Sequence, residues 1–94
     1  MRRPAMVCTD RPVGNPAIPV FWALMITSAH RPGWPGDVAI PDPAEAGLHQ
    51  PSKVRTAKVE TLEVLTAERV GRLPDAVLAE VRTQLAASLG WLLA

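Results

Sequence analysis

The feature that most limits what this chain can become is the run from Ile18 to Thr27 (IPVFWALMIT), bulky and apolar at consecutive positions. The apolar stretch from Ala17 to Ile26, which overlaps it, is about half of the roughly 20 residues a membrane-crossing helix needs. Large side chains at consecutive positions predict instead a central β-strand covered on both faces. Such a strand needs partners, and the flanking sequence offers them. PAMVCT at 4–9 is short and apolar, and the polar, proline-bearing DRPVGNP after it reads as an exposed loop.

After the long strand, SAHRPGWPG at 28–36 carries two prolines and two glycines, which prevent regular pairing and suit a shaped, ligand-holding loop. A short strand is expected at 37–40 (DVAI), then a proline-punctuated stretch with one helical turn at 43–47. Residues 53–65 (KVRTAKVETLEVL) alternate apolar and charged, predicting one or two antiparallel strands with one wet face. The clearest helix follows Pro74. Asp75 suits its positive end, and Val77, Leu78, Val81, Leu85 and Leu89 recur at three- and four-residue spacing. Gly90 is expected to cap it, with Trp91, Leu92 and Leu93 folding back on the domain or a second subunit.

Ninety-four residues fit a single domain, 1–94, with a thin core that a partner chain would support. With 48% hydrophobic and 20% charged residues the chain is of globular type. Its net charge of +1 provides no global attraction for nucleic acid, so any RNA binding must be local. Before Asp37, Arg2, Arg3, Arg11 and Arg31 face only Asp10, which makes the amino-terminal half the candidate electropositive face. A lone cysteine, Cys8, on an apolar strand reads as a small packing residue and can form neither an intrachain disulfide nor a four-ligand zinc site. No cofactor is expected. Arg2 and Arg3 are not followed by the apolar stretch of a secretion signal, so a cytoplasmic protein is expected.

Several residues could carry chemistry. Ser28, His30 and Arg31 lie together in the loop, where His30 could shuttle a proton or be a surface histidine. His49 stands in a proline-flanked turn and is assigned no role. Trp34, between Gly33 and Pro35, suits either stacking on a base or packing its loop on the sheet. Trp22 and Trp91 read as core or dimer contacts. Lys53, Arg55 and Lys58 form a positive strip on the expected wet face, fit for RNA phosphates or an acidic partner segment, though Glu60 and Glu63 dilute it. No phosphate-cradling glycine loop, paired metal-ligand spacing or nucleophile elbow is present.

Four stretches in order carry a resemblance: Arg3-Pro4 opening an apolar strand; LMITS at 24–28 closing the next strand, ahead of GDVAI; GLHQPSKVRTAKVETL at 47–62; and GRLPDAVLAEV at 71–81. The order resembles the MazF/PemK toxins, whose third stretch has the form GL…PSVVR…K..TL. The resemblance implies a small, strongly bent, SH3-like antiparallel β-barrel with a carboxy-terminal helix, mainly β and paired as a homodimer. It implies a metal-independent endoribonuclease that cuts single-stranded mRNA at specific sequences, leaving a 2′,3′-cyclic phosphate and a 5′-hydroxyl. It also implies inhibition by a cognate antitoxin. Nucleic-acid binding to RNA and DNA is expected, with cutting confined to RNA, since DNA lacks the 2′-hydroxyl.

Arg3 and Thr27 match the family's catalytic pair. A bidentate guanidinium can stabilise the charge of a phosphorane, and a hydroxyl can donate to a phosphate oxygen. Arginine is a poor base, and the group that removes the proton is unassigned. Ser28, His30, Arg31, Trp34, Lys53 and Arg55 are the expected RNA contacts. Family members begin with a Gly-Asp strand that has no counterpart here before Arg3, so the usual first strand is expected to be missing, either because the start is placed too far downstream or because the copy is truncated. Two alternatives stay open: a CcdB-like toxin that binds gyrase and cuts nothing, and an inactive remnant that only dimerises or binds an antitoxin.

Overall fold

The computed structural model describes residues 4–8, 12, 15–17, 19–64 and 67–93, with side chains up to residue 89. The elements are β1 (Ala5–Val7), β2 (Val20–Ser28), β3 (Asp37–Ile40), β4 (Ser52–Glu63) and α1 (Asp75–Leu93). The four strands form one antiparallel sheet in the order β1-β2-β4-β3. The fold is mainly β with one carboxy-terminal helix, as expected, but the sheet is open and curled and does not close into a barrel. Closure would require β1 to pair with β3, and among the described residues these are the two free edges, of 3 and 4 residues.

The long apolar run forms β2 and occupies an interior position, pairing β1 on one side and β4 on the other. Its second half is enclosed on both faces: Ala23, Leu24, Ile26 and Thr27 are all buried. Its first half departs from the expectation, because Trp22 is 52% exposed and is not a core residue. The single strand β4 bends where its register with β2 shifts, Leu24 facing Val59 while Met25 faces Arg55. Thr56, Ala57 and Lys58 are thus inserted without partners on β2, a bulge that reverses which residues of β4 face the core.

The core lies on the side of the sheet that α1 covers. Leu24, Ile26, Val38, Ile40 and Val54 meet Ala46, Leu73, Val77 and Val81. Full burial of a valine or leucine contributes about 1.5–3 kcal/mol, so this cluster is the main source of stability. The helix packs on β3 and β4, and its buried stripe ends early, Leu89 being exposed. The carbonyl of Pro74 accepts the first helical bond, from the Leu78 N–H at 3.1 Å, which puts Pro74 at the helix start as expected. At the other end the helix runs through Gly90 to Leu93, so Gly90 is not the cap. Glycine lowers helix propensity by about 1 kcal/mol relative to alanine but does not by itself stop a helix.

The stretches GL at 47–48 and GRL at 71–73 have one physical explanation. Asp42 Oδ1 accepts the Glu45 N–H, while the N–H groups of Leu48 and Gly47 donate to the carbonyls of Pro43 and Ala44. This is a single helical turn closed by a left-handed glycine, with Gly47 at φ +75°. The chain leading into α1 crosses directly over it: a Cβ on Gly71 would stand 2.3 Å from the Ala46 carbonyl carbon, and one on Gly47 would meet the Val70 carbonyl. Two backbones touch here, and glycine on both sides permits it.

Candidate nucleic-acid interface

Cross-strand partners share a face of the sheet, so register alone assembles this site. On the face opposite α1, one row reads Met25, Arg55, Asp37 and the next reads Thr27, Lys53, Ala39. Thr27, from one predicted stretch, and Lys53 and Arg55, from another, are therefore neighbours. Thr27 is 6% exposed, near the end of β2 where the chain enters the loop at 29–36.

That loop is held by its own turn and by β4. Trp34 to Asp37 form a tight turn in which the Asp37 N–H donates to the Trp34 carbonyl at 3.1 Å and the Trp34 N–H donates to Asp37 Oδ2 at 2.9 Å. Proline followed by Gly36 at φ +88° is the sequence a type II turn requires. Three side chains of β4 then hold three loop carbonyls. Lys53 Nζ donates to Arg31 O at 2.6 Å, Arg55 Nη2 to Pro32 O at 2.7 Å and Thr56 Oγ1 to Gly36 O at 2.7 Å. The loop is pre-organised, with His30 and Arg31 exposed at its start, and the His30 N–H donates to Ser28 Oγ at 3.3 Å.

At the base of the loop lies an ionic cluster. Arg55 donates through Nε to Asp37 Oδ1 at 3.3 Å and through Nη2 to Oδ2 at 3.1 Å, a fork-to-fork pairing. Its guanidinium carbon lies 4.2 Å from the centre of the Trp34 ring, a cation–π contact that keeps the ring over the cluster. Burial would raise the Asp37 carboxyl pKa, but the Arg55 hydrogen bonds, the Trp34 N–H and the charges of Arg55 and Lys53 outweigh it and hold the carboxyl below its ordinary value. The positive strip on a wet face is thus corrected. Arg55 is 5% exposed and Lys53 half-buried, because the loop folds over them, while Lys58 lies in the bulge, its side chain 42% exposed and its ammonium 3.9 Å from Glu60. Sequence reading missed Asp37 altogether; its only local signal was a carboxylate just after Pro35-Gly36.

The remaining predicted residues are placed as follows. Arg3 lies outside the described residues; its neighbour Pro4 accepts the Ile26 N–H through its carbonyl at 3.3 Å. Trp34 is 45% exposed, so its ring both packs on Arg55 and keeps a surface free. Cys8 is at the surface, not in the core, and its thiol donates to the Trp22 carbonyl at 3.0 Å. Partial burial pushes that thiol's pKa up, which favours the unreactive protonated form. Among the described residues no group of three or more His, Cys, Asp or Glu could hold a metal ion. No described helix is long and apolar enough to cross a membrane.

A four-stranded antiparallel sheet curled into an open half-barrel, with one covering carboxy-terminal helix, is a MazF-like topology. The pattern of the PemK-like, MazF-like toxins of type II toxin–antitoxin systems matches residues 1–89, and the chain belongs to that family of endoribonucleases. Solved structures agree. A MazE-MazF crystal structure from Deinococcus radiodurans aligns at TM-score 0.68 and 29% identity, over 95% of this chain and 86% of that one. Another crystal form of it aligns at 0.59 and 32%, over 76% and 68%. The Mycobacterium tuberculosis toxin MazF-mt6 shares the fold at 0.67 and 24%, over 94% and 86%. A search of curated proteins by sequence gives no match. These likenesses support a toxin of the ribonuclease type and give no support to DNA binding.

Proposed function

We propose that this chain is the toxin of a type II pair, cutting single-stranded mRNA at specific sequences by attack of the RNA's own 2′-hydroxyl. The observation that carries the reading is the juxtaposition of Thr27 and Lys53 under a loop that presents His30, Arg31 and Trp34. In the reaction a bond forms between the 2′-oxygen and phosphorus while the bond to the 5′-oxygen breaks. The 2′-hydroxyl loses its proton and the departing 5′-oxygen gains one. The products are a 2′,3′-cyclic phosphate and a 5′-hydroxyl. The nucleophile lies within the substrate, so the chemistry needs no metal-activated water.

In this reading the Arg3 guanidinium and the Thr27 hydroxyl stabilise the charge that develops on the phosphorane. Arg3 is joined to Pro4, whose carbonyl bonds the residue before Thr27, which favours the pairing. Arg31 attracts phosphate, Ser28 fixes the turn that carries His30, and His30 is suited to move a proton. Trp34, backed by Arg55, offers its free surface to a base. The working unit is a cytoplasmic homodimer. Support comes from Trp22 and Val59, exposed on one face of adjacent strands at diagonal positions, which a second copy would cover. The MazE-MazF structures support an antitoxin partner for this chain.

The test uses single-turnover cleavage of a defined single-stranded RNA alongside the same strand with one 2′-deoxynucleotide at the cut position. Cutting of the first and not of the second is expected. Equal cutting of both would remove the 2′-hydroxyl from the mechanism.

A further inference from the structure

The ionic cluster beneath the loop does not balance. It holds two cations, Lys53 and Arg55, against one carboxylate, Asp37, and all three side chains are at most 12% exposed. Arg55 engages both carboxylate oxygens, and Oδ2 also accepts the Trp34 N–H. Lys53 Nζ stands 3.6 Å from Oδ2, beyond hydrogen-bond range, and its one hydrogen bond among the described residues goes to Arg31 O at 2.6 Å. An ammonium has three N–H donors, so two remain for another partner. One carboxylate shared by two largely buried cations leaves the described cluster with net positive charge, which an anionic ligand would offset.

The direction from which that partner must come is fixed by the strands. Lys53 lies directly across from Thr27, and such cross-strand Cβ atoms are about 4.5–5.5 Å apart. On its other side the row ends in Ala39, whose methyl group leaves the approach open. Arg31, exposed, is held over the ammonium by its own carbonyl.

We propose that Lys53 is a phosphodiester ligand of the site: its ammonium binds a non-bridging oxygen of the phosphate that Thr27 touches, supplying the negative charge the cluster lacks. The assignment rests on the reading of the chain as a ribonuclease. In this arrangement Asp37 and Arg55 are positioning groups: Asp37 takes its side-chain hydrogen bonds from Arg55 and is ion-paired with Lys53 at 3.6 Å without one, so the ammonium can turn N–H donors to the substrate. Lys53 contributes to binding RNA of any sequence and does not select bases.

The test is binding of a fully 2′-O-methylated single-stranded RNA, which the proposed mechanism cannot cut, measured by fluorescence anisotropy between 50 and 200 mM salt. Each phosphate contact on a single strand contributes about 0.7 to the slope of log affinity against log salt. Lys53→Gln should weaken binding roughly tenfold at low salt and flatten the slope by about 0.7. Lys53→Arg keeps the charge and should keep the slope, and Lys58→Gln, in the bulge beside Glu60, should change neither quantity. Near-ultraviolet circular dichroism of the tryptophans checks that the variants retain their packing. An unchanged slope in folded Lys53→Gln, or an equal flattening in Lys58→Gln, overturns the assignment while leaving the ribonuclease reading intact. Wild-type protein that neither binds the methylated strand nor cuts RNA overturns both.

Discussion

Replacing Asp37 by asparagine keeps the shape of the side chain and removes the negative charge that the described residues give the cluster under the loop. Arg55 is left 5% exposed without a counter-charge. Breaking a buried pair from one side costs about 3–5 kcal/mol. Part is recovered here, because the guanidinium keeps the Pro32 carbonyl at 2.7 Å and the face of Trp34, and a cation–π contact contributes about 0.5–2 kcal/mol. The expected loss is therefore about 2–3 kcal/mol, out of the roughly 5–14 kcal/mol available to a domain of this size. Urea unfolding followed by tryptophan fluorescence, with the slope unchanged between variants, measures it. The pH dependence has a definite sign. Because the folded carboxyl is held below its ordinary value, its stabilisation is complete above the unfolded carboxylate pKa of about 3.9 and is lost as pH falls through the lower folded value. The gap between wild type and Asp37→Asn should close in that acid window. Adding Arg55→Met to Asp37→Asn should cost less than the sum of the two single changes. A loss under about 0.5 kcal/mol at neutral pH would refute the view that this pair anchors the loop.

Other consequences are as specific. Gly71→Ala should destabilise the fold by more than about 1 kcal/mol in the same assay, because its Cβ would stand 2.3 Å from the Ala46 carbonyl carbon. Arg3→Ala should slow single-turnover cleavage about a hundred- to thousandfold and Thr27→Val somewhat less, with the double variant short of the product of the two and Arg3→Lys no rescue. Sedimentation at micromolar concentration should show a dimer, and a charge placed by Val59→Lys should shift it toward monomer.

How much could be read in advance depends on whether the cause was local. The strand at Asp37–Ile40 and the start of α1 matched expectation because proline and glycine marked their limits. The turn at 43–47 was legible for the same reason, Asp42 opening it and Gly47 closing it. The grouping of Thr27 with Lys53 and Arg55 was not, since it depends on a register that shifts at a bulge no residue in KVRTAKVETL announces. The same bulge, together with the folded-over loop, made the apparent wet face of the first half of β4 a buried one, while its second half stays exposed. Asp37 was overlooked because its partner Arg55 lies 18 residues away, and one carboxylate after a turn carries no signal until the sheet brings the two together. Barrel closure was expected from likeness to a fold, and whether two short edges meet is a matter of curvature.

The central claim, cleavage by the RNA's own 2′-hydroxyl, is tested most directly by the ends it leaves. The purified protein, incubated with single-stranded RNA in excess chelator, should yield fragments with 2′,3′-cyclic phosphate and 5′-hydroxyl termini, read by mass spectrometry. Cutting that stops in chelator, or fragments ending in a 3′-hydroxyl, would contradict the account.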